Sequence, residues 1–331
     1  MKEDIHFSII VPVYNRPDEL GELLESLAQQ TDKNFEILIM EGDSTIPCSE
    51  VCQKYANLLT LRHIHKPEAS RSERRNLGMQ MATGSYFLFF DSDCILPPTY
   101  IKIVRAYLTT EYLDCYGGPD SADHNFSNIQ KAINYSMTSM MTTGGIRGAT
   151  NQTEKFTPRS FNMGLSKEVF EQVGGFKEMI GEDIDLSLRI KERGFKIKLI
   201  KEASLFHKRK INLKKFYNQV YTFGKARVLL SKLHPGSLKM AHLFPTCFVI
   251  GNLLLILLSI LCRNLIFLLP LALYIMAIFI ESWIKNKKIG IAFLSVITSY
   301  IQLCGYGMGF LDELITRRAS KVAQEDLYTQ S

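Results

Sequence analysis

The chain changes character near Pro235. Before it, short apolar runs alternate with charged and polar stretches; after it come long runs with almost no charge. Phe7-Ser8-Ile9-Ile10-Val11 predicts a strand, closed by Pro12 and followed by a turn over Val13 to Pro17. Pro17 suits a first helical turn, Asp18 and Glu19 suit its positive end, and Leu20, Leu23, Leu24 and Leu27 recur at helical spacing. Phe35 to Met40 predicts a second strand ending at Glu41-Gly42-Asp43-Ser44, and Leu61 to Ile64 a third. Ser70 and Glu73 have the spacing of a capping box, opening a helix through Leu77 and Met81 that stops at Gly84. Tyr86-Phe87-Leu88-Phe89-Phe90 then reads as a strand buried on both faces. Strand and helix alternating with short connections predict a parallel, doubly wound α/β sheet.

Further along, Pro97 to Leu108 predicts a helix and Leu113 to Gly117 a strand. From Ser121 to Arg159 the pattern fades into Ser, Thr, Asn, Gly and Met, which reads as loops and short helices near a site. A short helix is expected from Ser166, a longer one from Gly181 to Gly194, and a strand over Phe195 to Ile200, with His207 soon after. Between Lys214 and Lys239 apolar and basic residues alternate, as in an amphipathic helix on an anionic surface or a helix of the soluble domain.

The apolar part holds three candidate membrane helices, about 243–261, 265–284 and 289–311. The expected organisation is a catalytic domain over 1–235, membrane helices within 236–315 and a polar tail over 316–331. Lys208-Arg209-Lys210, Lys214-Lys215 and Lys285-Asn286-Lys287-Lys288 suit the cytosolic side, whereas the basic tail at Arg317 and Arg318 would fall outside after three spans. Met1-Lys2-Glu3-Asp4 lacks a following apolar core, so no signal peptide is expected. A multi-pass protein of the inner or plasma membrane with a cytoplasmic catalytic domain is the expectation. The formal charge is +6, and the seven scattered cysteines suggest reduced thiols rather than a zinc site. The Asn125, Asn134 and Asn151 sequons carry no meaning in a cytosolic domain.

The chemistry gathers at Asp91-Ser92-Asp93, two carboxylates one residue apart at the end of the most apolar strand. In an open α/β sheet, ligands bind beyond the carboxyl ends of the strands. Mg²⁺ or Mn²⁺, taking one or two carboxylates plus phosphate oxygens, would relieve both the repulsion and the desolvation cost. An exposed Asp-Ser-Asp turn is the plainer alternative. No glycine-rich dinucleotide or P-loop motif is present.

Taken in order, these segments resemble family-2 glycosyltransferases of the GT-A fold, from about Phe7 to Arg227. The likeness rests on Ile10-Val11-Pro12-Val13-Tyr14-Asn15-Arg16, Glu41-Gly42-Asp43-Ser44-Thr45, Arg75-Asn76-Leu77-Gly78, Asp91-Ser92-Asp93, Asn162-Met163 with Gly174-Gly175-Phe176, and Glu182-Asp183-Ile184-Asp185-Leu186. The resemblance implies a doubly wound mixed sheet and a nucleotide-diphosphate sugar donor. It implies that Asp93, with Asp91, holds the metal, and that His207 is a further ligand, although a surface histidine beside Lys208 would look the same. Asp183 is the implied general base, with Glu182 as the alternative. Pro12, Tyr14, Asn15, Glu41, Asp43, Arg75, Asn76 and Ser92 would surround the donor. Relatives more often show Asp-Asp-Gly where this chain has Glu-Gly-Asp, which leaves open whether Glu41 or Asp43 contacts the nucleoside. Processive members carry Gln-x-x-Arg-Trp; here Gln219-Val220-Tyr221-Thr222-Phe223 lacks the Arg, favouring transfer of one sugar.

The expected activity is that of a membrane-anchored inverting glycosyltransferase acting on a lipid-linked glycan acceptor in cell-envelope polysaccharide assembly, with no nucleic-acid partner. A polyprenyl-phosphate sugar synthase and a processive synthase are alternatives within the class. From other classes come an aspartyl phosphatase using Asp91 and an inactive sugar-binding membrane protein.

Overall fold

The computed structural model describes residues 5–121, 127–143, 156–208 and 212–316. The chain divides into two compact units, Met1–Asp123 with Thr150–Lys208, and His124–Ala149 with Arg209–Ser331.

The first unit runs β1 (Phe7–Val13), α1 (Pro17–Ala28), β2 (Phe35–Glu41), α2 (Ser49–Tyr55), β3 (Leu61–His65), α3 (Arg71–Met81), β4 (Tyr86–Phe89), β5 (Cys94–Ile95), α4 (Tyr100–Thr110), β6 (Cys115–Gly117) and β7 (Asp120–Ser121). The chain then enters the second unit with α5 (Asn128–Thr138) and α6 (Met140–Thr143). It returns with β8 (Met163–Ser166), α7 (Lys167–Val173), α8 (Glu182–Glu192), β9 (Ile197–Leu199) and β10 (Leu205–His207).

The main sheet has the order β3-β2-β1-β4-β8-β6-β9. Strands β1 to β4 are mutually parallel, as the strand–helix alternation predicts. The parallel pattern stops there: β8 runs antiparallel to both β4 and β6, so the sheet is mixed. Alternation along the strands sorts the core into two layers. Phe7, Ile9 and Val11 pack with the leucines of α1 and with Tyr100, Ile101 and Val104 of α4. Ile10, Phe87 and Phe89 pack with Met79 of α3 and with Leu186 and Ile190 of α8.

Pro12 does not end β1, which continues to Val13 in register with β2. The Ile10 carbonyl faces β4, where it accepts from Phe90 N–H. Pro12 has the same parity and faces the same side, beyond the last β1–β4 pair at Ile10 and Phe89. Its missing N–H therefore costs no ladder bond. The Ser70–Glu73 capping box is present in both directions.

A second, three-stranded sheet has the order β5-β10-β7. Its strands are two or three residues long, too short to leave an alternation in the sequence.

The second unit adds α9 (Leu213–Leu233), α10 (Met240–Leu261), a 3₁₀ turn over Leu265–Leu268, α11 (Leu269–Asn286) and α12 (Ile289–Thr316). Met240–Leu261, Leu265–Asn286 and Ile289–Thr316, of 22, 22 and 28 residues, are long and apolar enough to cross a membrane. Leu253, Leu257 and Ile260 of α10 and Leu273, Met276 and Ile284 of α11 leave their side chains exposed. Helix α9 belongs to this unit by its contacts, not to the first. Its Phe216 and Val220 pack with Ile133 and Met137 of α5. The stretch expected to be loops and short helices contains an 11-residue helix, opened by a Ser127–Gln130 capping box. Residues 122–126, 144–155 and 317–331, with Asn125, Asn151 and the basic tail, lie outside the described residues.

Candidate active site

Most of the sequence-predicted site residues lie at the carboxyl ends of β1, β2 and β4 or in the turns that follow them. The β4 turn delivers Asp91, Ser92 and Asp93, with Ser92 buried. The two carboxylates then part company. Asp91 Oδ1 accepts from Arg75 Nη2 at 2.8 Å. Asp93 Oδ2 accepts from Arg16 Nη1 at 2.9 Å, and Asp93 Oδ1 lies 3.2 Å from His207 Nε2.

His207 arrives through the small sheet. β10 pairs antiparallel with β5, setting His207 opposite Cys94 in the register. Its ring stacks on Phe161, centroids 4.3 Å apart and planes 14° from parallel. Burial alone would raise the Asp93 pKa, but the hydrogen bonds and charges of His207 and Arg16 outweigh it and hold the carboxyl well below the usual range.

Sequence reading grouped Asp91, Asp93 and His207 as metal ligands. Among the described residues, the metal-ligating atoms that cluster belong to Asp93, Cys94 and His207. Asp91 lies outside this cluster and is paired with Arg75. Burial, with the charges of Asp91 and Asp93, pushes the Cys94 thiol up, and its Sγ lies against the Phe161 carbonyl, so thiolate ligation is disfavoured. Asp93 and His207 do fit a divalent cation. Asp93 Oδ1 is buried without an aligned hydrogen bond, and a carboxylate with an imidazole suits Mn²⁺ better than Mg²⁺.

Arg75 ties the metal motif to α8. It is fully buried, its Nη1 lies 3.3 Å from Glu182 Oε1, and its guanidinium lies 5.2 Å from the centre of the Phe176 ring. Glu182 also accepts from Arg71 at 3.1 Å. Asp183 sits beside it in the first turn of α8, which leaves the left-handed Gly181. Its Oδ1 accepts the Ile184 N–H at 2.8 Å, and Arg159 stands 3.6 Å from Oδ2. Asp183 is thus less encumbered than Glu182.

Asn76 holds the segment before α8. Its amide donates to the Phe176 carbonyl and accepts the Phe176 N–H, both at 2.8 Å. These bonds give it a positioning geometry rather than a free amide for a donor.

The third group surrounds the β1 and β2 turns. Pro12 is buried, whereas the Tyr14 ring is 53% exposed. Asn15, at φ 53°, locks the two turns together: its N–H donates to Ser44 Oγ and its Oδ1 accepts from Ile46 N–H and Thr45. Glu41 is buried and spent internally, on Cys48 N–H at 2.9 Å and His63 at 2.7 Å. Asp43 is exposed. The structure thus leaves Asp43, not Glu41, as the acid open to solvent. Sequence reasoning assigned no role to Arg16, Arg71, Arg74, Arg159 or Phe161. Arg16 was the most legible of them, as the last residue of the opening motif.

Comparison with known families covers part of this site, ending before Glu182, Asp183 and His207. The model of the family described as Glycosyl transferase family 2 matches residues 8–174. An uncharacterised glycosyltransferase of Rickettsia felis is 40% identical over 105 residues, 32% of this chain and 17% of that protein. The uncharacterised glycosyltransferase YibD of Escherichia coli is 35% identical over 108 residues, 32% of this chain and 31% of that protein. The aligned stretch is thus less than a third of either relative. Among solved structures, the mannosyltransferase PcManGT of Pyrobaculum calidifontis, in complex with GDP-Man and Mn²⁺, superposes with a TM-score of 0.66. That match covers 95% of this chain and 88% of the other at 12% identity, so it speaks for the GT-A fold alone.

Proposed function

The chain belongs to glycosyl transferase family 2, and from that premise we propose that it is a membrane-anchored, metal-dependent, inverting glycosyltransferase. It moves one sugar from a nucleotide-diphosphate sugar to a hydroxyl of a lipid-linked acceptor. The observation that carries this reading is two sets of paired charge, Asp93 with His207 and Arg16, and Asp91 with Arg75 and Glu182 beside Asp183. The first suits a metal and a donor's phosphates, the second the proton of an acceptor hydroxyl.

Asp93 and His207 would hold the divalent cation, which when bound neutralises charge on the leaving diphosphate. Arg16, already on Asp93, adds a second positive charge for the phosphates. Asp183 takes the proton from the acceptor hydroxyl as the acceptor oxygen bonds to the anomeric carbon. The bond from that carbon to the phosphate oxygen breaks on the opposite face, and its electron pair leaves with the nucleoside diphosphate. One displacement inverts the anomeric centre with no covalent enzyme intermediate. Glu182, bound to Arg71 and Arg75, keeps α8 in place rather than acting as base.

The three long apolar helices support anchoring, and the basic residues at Lys285, Lys287 and Lys288 support a cytosolic catalytic unit. An acceptor with a lipid tail would be presented at that surface, in the assembly of a cell-envelope glycan.

The test uses full-length protein in detergent with a panel of nucleotide sugars, lipid extract and Mn²⁺ or Mg²⁺. Transfer from one donor with inverted product, lost in Asp93→Ala and Asp183→Asn, supports the proposal. Retained anomeric configuration, or hydrolysis of phosphate esters through Asp91 with no donor bound, would overturn it.

A further inference from the structure

Arg74 differs from every other arginine around the site. It lies in the first turn of α3 and is 8% exposed, yet among the described residues its guanidinium makes no ion pair and no hydrogen bond. Its Nε is buried and unpartnered. Its neighbours are satisfied, Arg71 by Glu182 and Arg75 by Asp91 and Glu182. Burial, with the charges of Arg75 and Arg71, presses the Arg74 pKa below its ordinary value. With Nε buried and no protein acceptor for the guanidinium among the described residues, a ligand that supplies one gains a charge-assisted hydrogen bond.

Gly42 fixes what Arg74 faces. A Cβ added at Gly42 would lie 1.8 Å from Arg74 Nη1 and 2.9 Å from Cζ, with a Tyr14 ring carbon at 3.4 Å. The guanidinium therefore fills the volume of the side chain that position 42 lacks. This is the middle position of Glu41-Gly42-Asp43. With no side chain there, the guanidinium offers its N–H donors at that point. Beside it the Tyr14 ring is half-exposed, a platform for a planar heterocycle.

We infer that Arg74 is a specificity-determining residue for the donor nucleotide: it donates to the exocyclic carbonyl of a keto nucleobase stacked on Tyr14, and disfavours bases that carry an amino group there. The inference rests on the donor reading above. Uracil and guanine present a carbonyl oxygen where cytosine and adenine present N–H donors. Two facing donor groups repel, and the amino base leaves the guanidinium unpaired.

The test measures binding of UDP, CDP, GDP and ADP, each with Mn²⁺, to the full-length protein in detergent by calorimetry. The keto-to-amino ratio, UDP over CDP or GDP over ADP, is expected to be roughly 10-fold or more in the wild type. It falls towards one in Arg74→Ala, and also in Gly42→Ala, where the added Cβ displaces the guanidinium. The melting temperature of ligand-free Arg74→Ala is expected to hold or rise, because no protein hydrogen bond or ion pair is lost and the unpartnered Nε is removed. A uniform loss of all four nucleotides, an unchanged ratio, or a fall in the ligand-free melting temperature would each overturn the inference while leaving the transferase reading intact. Failure of the wild type to bind any of the four would instead defeat the donor reading, and this inference with it.

Discussion

Arg75 Nη2 donates to Asp91 Oδ1 at 2.8 Å, joining the first acid of the Asp-Ser-Asp motif to α3. The same guanidinium stands 3.3 Å from Glu182, so one buried cation serves two acids from distant parts of the chain. Breaking such a buried pair leaves uncompensated charge and costs about 3–5 kcal/mol. Arg75→Met is expected to lower the melting temperature markedly and to abolish transfer. Arg75→Lys keeps the charge but not the planar fork that spans both carboxylates, so it recovers part of the stability and little activity. Thermal unfolding in detergent beside a donor-turnover assay checks both. Full activity in Arg75→Lys would show that the bridge is dispensable.

That relationship marks where sequence reading ends. The order of β1 to β4, the Ser70 cap and the place of Asp91 and Asp93 at a strand end follow from local patterns, because apolar periodicity and capping are local physics. Which acid meets which cation is decided by the packing of α3 and α8 on the sheet, over 107 residues in the case of Arg75 and Glu182. The antiparallel β8 is four residues with a central glycine, Met163-Gly164-Leu165-Ser166, and carries no alternation to read. Helix α5 was legible in principle: Ser127 and Gln130 have capping-box spacing, obscured by the polar residues around them.

Glu182 and Asp183 adjoin in sequence but differ in surroundings, and their variants should separate. Asp183→Asn is expected to lower kcat by roughly 10²–10⁴-fold, the range for loss of a general base, with the donor KM little changed. Glu182→Gln removes the charge that Arg71 and Arg75 both use. It should lower the melting temperature more than Asp183→Asn does and kcat less. Steady-state kinetics with parallel melts decides the assignment. The reverse ranking would make Glu182 the base.

Glu36 gives the first unit an acid sensitivity away from the site. It is buried and accepts from Ser8 at 2.7 Å, from Thr83 N–H at 2.6 Å and Oγ1 at 2.8 Å, and from Arg62 at 3.1 Å. Burial would raise its pKa, but these bonds and the Arg62 charge together lower it. A carboxyl depressed in the folded state contributes stability above its unfolded pKa, about 4.3. That contribution is lost as pH falls through the folded value. The melting temperature of the wild type should therefore drop below about pH 4.3, and Glu36→Gln should be less stable at neutral pH with a flatter acid limb. Melts across that range test it, and parallel acid limbs would remove Glu36 from the account.

Chelation probes the Asp93–His207 pair. Transfer should vanish with EDTA and return with Mn²⁺ at lower concentration than with Mg²⁺, given one carboxylate and one imidazole. His207→Ala should raise the Mn²⁺ concentration for half-activity by at least roughly 10-fold, since losses of this size accompany even outer-shell changes at metal sites. Phe161→Ala, which removes the stacking surface of His207, should give a smaller shift in the same direction. A metal titration unchanged in both variants would detach His207 from the cation.

Helix α9 meets α12 by close backbone approach at two glycines as well as by side-chain bonds. A Cβ added at Gly224 would lie 2.1 Å from the Tyr306 carbonyl oxygen, and one at Gly309 2.0 Å from that of Tyr221. Neither obstacle is a flexible side chain, so each alanine must push the helices apart, at about 1–3 kcal/mol for overpacking. The displacement would also pull Tyr221 and Lys225 away from Asp312, now 2.6 Å from each. Gly224→Ala and Gly309→Ala should each lower the melting temperature in detergent. The double variant should lose less than the sum, because the first substitution already opens the gap that the second needs. A strictly additive pair would mean that the two glycines relieve separate contacts and that α9 does not move as a unit.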